Sequence, residues 1–245
     1  EAAKAQLKEM HATVSLSGVR SLLWYFNKTM RQGIHGLYVD QRGLAMVKGL
    51  ISAGEKVILM PLYRSFTDFF IHMYVNLTQG LPMSYTFGNL EDTPRVKLLD
   101  QWIRACGYIL SRRKQNQSLQ TNYINSALLT EIISHNQMTT VFQNGERFRA
   151  GKLARKQTAD MSIRWLLDAF QHLQTETGHT LKIVPVMVSY DRIMEGNNLA
   201  TEMITGEKQK YTLVSSLQRV WGTKPDALGH IYVKYLDPID LADYI

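Results

Sequence analysis

Four short polar clusters, each set just past an apolar run, carry the residue types that could do chemistry in this chain. The first is Tyr63-Arg64-Ser65-Phe66-Thr67-Asp68, behind the run from Val57 to Met60. The second is the pair Arg112-Arg113, at the end of Gly107 to Ser111. The third is Asn144-Gly145-Glu146-Arg147-Phe148-Arg149-Ala150-Gly151-Lys152, after Met138 to Phe142. The fourth is Tyr190-Asp191-Arg192, after Lys182 to Ser189. Arginine offers a planar fork that grips phosphate or carboxylate with two hydrogen bonds, which lysine cannot do. A carboxylate such as Asp68 can orient a neighbouring proton acceptor. Taken singly, each cluster is weak, since an arginine pair after a strand is more often a surface feature than a site. Metal-ligand spacing, a Gly-rich nucleotide loop and a Cys-His nucleophile pair are all absent from the sequence.

The elements that must position these clusters alternate in kind. Val57 to Met60 is a short unbroken apolar run and reads as a buried strand, whose hydrogen-bond ladder Pro61 stops. Ser65 or Thr67 can then cap a helix beginning near Asp68, where the helix dipole favours a carboxylate. Further strands are read at 36–39, 84–87, 107–113, 138–142, 182–189 and 231–235, with Pro185 marking an edge or irregular position in the sixth of these seven runs. Helices are read over most of 1–32, then at 42–52, 94–105, 119–134, 159–174 and within 197–223, and a short one ends the chain after Pro238. Strands alternating with helices imply a mostly parallel α/β sheet covered by helices on both faces, preceded by an amino-terminal helical segment. The division expected is 1–54 as that segment, packed on the core, and 55–245 as one α/β unit.

Together, in this order and spacing, the clusters resemble the sequence blocks of the glycerol-3-phosphate and dihydroxyacetone-phosphate acyltransferases. Pro61 to Asp68 resembles that family's Pro-x-His-Arg-Ser-x-x-Asp, with Tyr63 where the histidine would stand. Gly107 to Arg113 resembles Gly-x-Phe-Phe-Ile-Arg-Arg, and Phe142 to Lys152 resembles Phe-x-Glu-Gly-Thr-Arg-Ser-Arg-x-Gly-Lys. Ile183 to Glu195 is close to Val-Pro-Val-x-Ile-x-Tyr-Asp-Arg-x-x-Glu. Gly229 to Ile239 is similar to a closing Gly-x-Ile-x-Val-x-Phe-Gly-x-Pro-Ile, with Leu236 for the second glycine. The resemblance runs over essentially the whole chain.

The resemblance implies a chemistry and also questions it. In that family the histidine draws the proton from the acceptor hydroxyl as it attacks an acyl thioester, and the aspartate steadies the imidazolium. Carried over, Tyr63 and Asp68 occupy the catalytic positions. Arg64, Ser65, Arg112, Arg113, Gly145, Arg147, Arg149 and Lys152 would bind the acceptor and its phosphate. No cofactor is implied, only acyl-CoA or acyl-carrier protein as donor, and no metal. A tyrosine of pKa ~10 is ionised in only about one molecule in a thousand at pH 7. Asn144 and Phe148 stand where the family has Glu and Ser. The first expectation is therefore a catalytically degenerate protein, kept as a structural or lipid-binding component of a membrane-associated, mitochondrial rather than peroxisomal, assembly. The alternative is a working acyltransferase with an unusual base. His72, one helical turn past Asp68, is a candidate for that base, and a histidine simply buried against the sheet is the preferred account of it.

Composition sets the remaining bounds. The chain has 245 residues, 45% apolar, enough for one sizeable core. Cys106 is the single cysteine, so a reducing compartment is the easier reading. Glu1 opens the sequence in place of Met, which allows a processed or incomplete amino terminus. The net charge of +7 concentrates in residues 95–114 and 147–164 and points to anionic ligands. The partners expected are a membrane surface or phospholipid and other subunits of an assembly; nucleic acid is not expected, for want of a recognised module. In the first helix, Leu16, Val19, Leu22, Leu23, Phe26 and Met30 form an apolar stripe among basic neighbours. Two uses stand open for it, lying in a membrane interface or packing on the sheet.

Overall fold

The computed structural model describes residues 7, 10, 12–65, 67–89, 97–111, 119–136, 138–142, 161–193, 196–206 and 228–244. In chain order the elements are α1 (Leu16–Gly33), β1 (Ile34–Val39), α2 (Gln41–Ser52), β2 (Lys56–Pro61), α3 (Asp68–Thr78), β3 (Tyr85–Asn89) and α4 (Lys97–Arg104). They continue with β4 (Tyr108–Ser111), α5 (Leu119–His135), β5 (Met138–Val141), α6 (Met161–Thr177), β6 (Leu181–Tyr190), α7 (Gly196–Thr205), β7 (Gly229–Tyr235) and β8 (Ile239–Asp240). A 3-10 turn, Leu241–Asp243, follows β8.

The strands form one mixed sheet in the order β1-β7-β6-β2-β5-β3-β4, with β8 paired to β6. β6, β2, β5, β3 and β4 run parallel to their neighbours, whereas β7 is antiparallel to β6 and takes β1 with it. The expected mostly parallel α/β sheet is therefore the one found. Its apolar runs are continuous rather than alternating because both faces are covered. On one face Val57, Leu59, Val184, Val186 and Val188 meet Val19, Leu22, Leu23 and Phe26 of α1, Val47 of α2 and Ile71 and Val75 of α3. On the other, Ile58, Val141, Leu181 and Ile183 meet Ile124, Leu129 and Ile133 of α5 and Trp165, Phe170 and Leu173 of α6.

Of the two positions expected for Pro185, edge or irregular, it takes the second. It lies in β6 opposite Met60 of β2, in mid-sheet. Its missing N–H is tolerated because the other side of β6 changes partner there. β8 pairs with Lys182 and Ile183, β7 takes over from Val186, and Pro185 O still accepts from Leu236 N at 2.9 Å. The helix read over most of 1–32 is interrupted: residues 7 and 10 are helical, but residues 12–15 are not, and Ser15 N bonds Ala105 O at 2.8 Å before α1 begins. Gly18 lies three residues into α1 and does not interrupt it; a Cβ there would come within 2.7 Å of Ala105 Cβ, so the glycine serves close packing.

Candidate active site

The parallel strands determine where the strand ends that precede the four clusters lie. β2, β4, β5 and β6 all point the same way, so Pro61, Ser111, Val141 and Tyr190 end at one edge of the sheet. That is the carboxyl end, where open α/β folds place their sites. Arg112, Arg113, Gly145, Arg147, Arg149 and Lys152, with Asn144 and Phe148, lie outside the described residues. Tyr63, Arg64, Ser65, Asp68, His72, Tyr190 and Asp191 are described.

Asp68 is the hub of these seven. It opens α3, is fully buried, and places its carboxylate back against the turn that precedes it. Oδ2 accepts from Arg64 N at 2.8 Å and from Ser65 N at 2.9 Å. Oδ1 accepts from the Tyr190 hydroxyl, which comes across from the end of β6. Thr67 is the helix N-cap by position, but its side chain caps no backbone amide. The hydroxyls expected to cap bond each other instead: Ser65 Oγ and Thr67 Oγ1 are 2.8 Å apart, and Thr67 Oγ1 lies 3.1 Å from Tyr190 Oη. Asp68 thus takes over the role of holding the turn, because a carboxylate accepts several N–H and O–H donors at once.

Tyr63 is half-buried, its ring packed against the core and meeting Phe142 edge-on with centroids 5.4 Å apart. His72 shares the inner face of α3 with Asp68 but is 3% exposed, edge-on to Phe142 at 6.0 Å, and neither ring nitrogen has a hydrogen-bond partner. Burial pushes its pKa down to about 4. The buried-histidine account therefore holds over the alternative base. One turn further, Asn76 Nδ2 donates to Ser84 Oγ at 3.3 Å, and Ser84 Oγ is 2.8 Å from Thr140 Oγ1, so the polar line on this helix face continues into the core.

His72 makes a pH prediction. Its folded pKa lies below the unfolded value of ~6.5, so between those two values the unfolded chain binds the extra proton. Stability is full above pH ~6.5 and falls as pH drops toward 4, by on the order of 3 kcal/mol in all. Urea unfolding of His72→Leu across that window should show a flatter acid limb than the unmodified chain. An unchanged limb would assign the acid loss to other groups.

The Tyr-Asp-Arg cluster divides its labour. Tyr190 goes to Asp68, whereas Asp191 Oδ2 accepts from His230 N at 2.9 Å and lies 2.8 Å from His230 Nδ1, fastening the start of β7. These bonds, the backbone one first, hold the Asp191 carboxyl below its ordinary range. Gly229, beside it with φ +68°, has no room for a Cβ: Asp191 Cβ would be 2.8 Å away. The contact between Tyr190 and Asp68 spans 122 residues. Its sequence signal was only that both follow strand ends.

No family model matches the chain. Individual proteins do match, over nearly all of it. A Haemophilus influenzae protein named glycerol-3-phosphate acyltransferase is 30% identical over 245 residues, 98% of this chain. Over nearly its whole length the chain is similar to a segment of a glycerol-3-phosphate acyltransferase. A Glaesserella parasuis protein of the same name is 29% identical over 98% of the chain. A Sus scrofa relative, named glycerol-3-phosphate acyltransferase 1, mitochondrial, is 27% identical over 99% of it. The chain spans 28% to 29% of the length of these relatives, so it corresponds to a little over a quarter of each.

Proposed function

We propose that this chain carries the acyl-transfer site of a glycerol-3-phosphate acyltransferase, moving an acyl group from acyl-CoA or acyl-carrier protein to a hydroxyl of glycerol-3-phosphate or dihydroxyacetone phosphate. The observation that carries the proposal is Asp68, buried at the carboxyl end of β2 and tied to the neighbouring strand through Tyr190, in a chain whose relatives bear that enzyme's name. The relatives' names support a working enzyme and lend nothing to a degenerate structural component of a mitochondrial assembly. The mitochondrial placement has a Sus scrofa relative in its favour, beside bacterial ones. Tyr63 and Asp68 are proposed at the reacting centre, with Arg64 and Ser65 beside it. Arg112, Arg113, Gly145, Arg147, Arg149 and Lys152 are proposed to hold the phosphate. The test is acyl transfer by the purified chain to each acceptor, against the same chain lacking the Asp68 carboxylate.

Contact with a phospholipid surface belongs to the same reading. No helix among the described residues is long and apolar enough to cross a membrane. Most of the apolar stripe of α1 is not available for one either, since Val19, Leu22, Leu23 and Phe26 are buried in the core, whereas Leu16, read in that stripe, is exposed. The opposite face presents Leu16, Arg20, Trp24, Lys28 and Arg31, with Trp24 64% exposed and the Lys28 ammonium 5.1 Å from the centre of its ring. A tryptophan among cations suits an anionic interface. Binding to vesicles containing anionic lipid should weaken as salt is raised from ~0.05 to ~0.5 M, and Arg20→Glu with Lys28→Glu should lower it further. Binding indifferent to both would leave this face as ordinary solvated surface.

A further inference from the structure

The hydrogen-bond directions around Asp68 constrain one another. Tyr190 Oη donates to Asp68 Oδ1, so its proton is committed. Thr67 Oγ1, at 3.1 Å, therefore donates to the phenol oxygen. With the threonine proton used there, Ser65 Oγ supplies the proton of its 2.8 Å bond to Thr67 Oγ1, while itself accepting from Thr67 N at 3.2 Å. The outcome is a row of three hydroxyls, Ser65, Thr67 and Tyr190, all donating toward one carboxylate. Ser65 and Thr67 are buried, whereas Tyr190 is half-buried, so the phenol is the member of the row a substrate can reach. Tyr63, by contrast, has its ring edge-on to Phe142 and packed against the core.

We propose that Tyr190 is a catalytic residue. Its hydroxyl oxygen takes the proton of the acceptor hydroxyl as its own proton passes to Asp68 Oδ1. This inference rests on the acyl-transfer reading. The acceptor O–H bond breaks while its oxygen forms a bond to the thioester carbonyl carbon, giving a tetrahedral intermediate with Asp68 protonated. The C–S bond then breaks, and the departing sulfur takes the proton back through Tyr190 from Asp68. Both residues end as they began, and no reactant beyond thioester and acceptor is consumed. A carboxylate already holding two backbone N–H groups is a weak base. The transfer must therefore come late, once C–O bond formation has made the attacking oxygen acidic.

Two measurements on the whole chain test this. The first uses an aryl sulfonyl fluoride, which labels tyrosines activated by a neighbouring base and needs no turnover, with the modified residues mapped by peptide mass. Tyr190 should be labelled, and Asp68→Asn should lower that labelling about tenfold while leaving the exposed Tyr38 unaffected. The second is acyl transfer to glycerol-3-phosphate by Tyr190→Phe, for which kcat should fall about 100-fold with KM little changed. Labelling of Tyr190 that ignores Asp68, or full turnover by Tyr190→Phe, overturns the proposal. Asp68-dependent labelling in a chain with no turnover supports the activated phenol and overturns the acyl-transfer reading instead.

Discussion

Asp68→Ala will remove acyl transfer and much of the stability of the turn in one step. Among the described residues, three donors lose their bond to this carboxylate: the amides of Arg64 and Ser65 and the Tyr190 hydroxyl. Ser65 is fully buried, so water cannot replace the carboxylate there. Each unsatisfied buried group costs about 1–3 kcal/mol, and the sum should reach about 3–5 kcal/mol against a typical total of about 5–15 kcal/mol. Asp68→Asn separates the two effects. Its carbonyl oxygen keeps part of the network, but an amide cannot accept a proton from Tyr190. We expect Asp68→Asn to lose at least about 100-fold in turnover while unfolding at a urea concentration near that of the unmodified chain. Turnover that survives Asp68→Asn would remove this carboxylate from the chemistry, whatever its part in the fold.

Tyr63→His should act in the opposite direction. A phenol of pKa ~10 is a poor proton acceptor at neutral pH, whereas an imidazole of pKa ~6.5 is mostly neutral and able to accept. The substitution gives up part of the edge-on contact with Phe142, at a cost of about 0.5–1.5 kcal/mol. In return it places a base of the right strength in the turn just before Asp68. We expect kcat to rise at least about tenfold and to acquire a new inflection, with activity increasing as pH rises through ~6.5 because the neutral imidazole is the active form. In that background Tyr190→Phe should cost far less than in the unmodified chain, since two bases serving one proton transfer do not add. A Tyr63→His variant with unchanged turnover and pH profile would place residue 63 away from the reacting hydroxyl.

Much of this protein was legible from residue order alone, where the controlling physics is local. Val57 to Met60 and Ile183 to Val188 had to be strands, because an apolar run so short and so rich in β-branched residues has no other way to bury both its sides. The α/β alternation and the mostly parallel sheet came with them, as did the end of the sheet at which β2, β4, β5 and β6 finish. The block order over the whole chain pointed to the family that the matched relatives bear out. Three features depended on contacts between distant parts. The apolar stripe of α1 fits a bilayer or a sheet equally well in one dimension, and the presence of Phe70 stacked on Phe26 at 5.4 Å decided for the core. Pro185 could be read as an edge or an irregular position, and the hand-over from β8 to β7 beside it decided for the second. Above all, Asp68 and Tyr190 lie 122 residues apart, and no local spacing relates them. They meet because β2 and β6 are parallel neighbours whose register, Pro61 opposite Val186, carries β6 on to Tyr190 past the end of β2, far enough for a phenol to reach back over the turn.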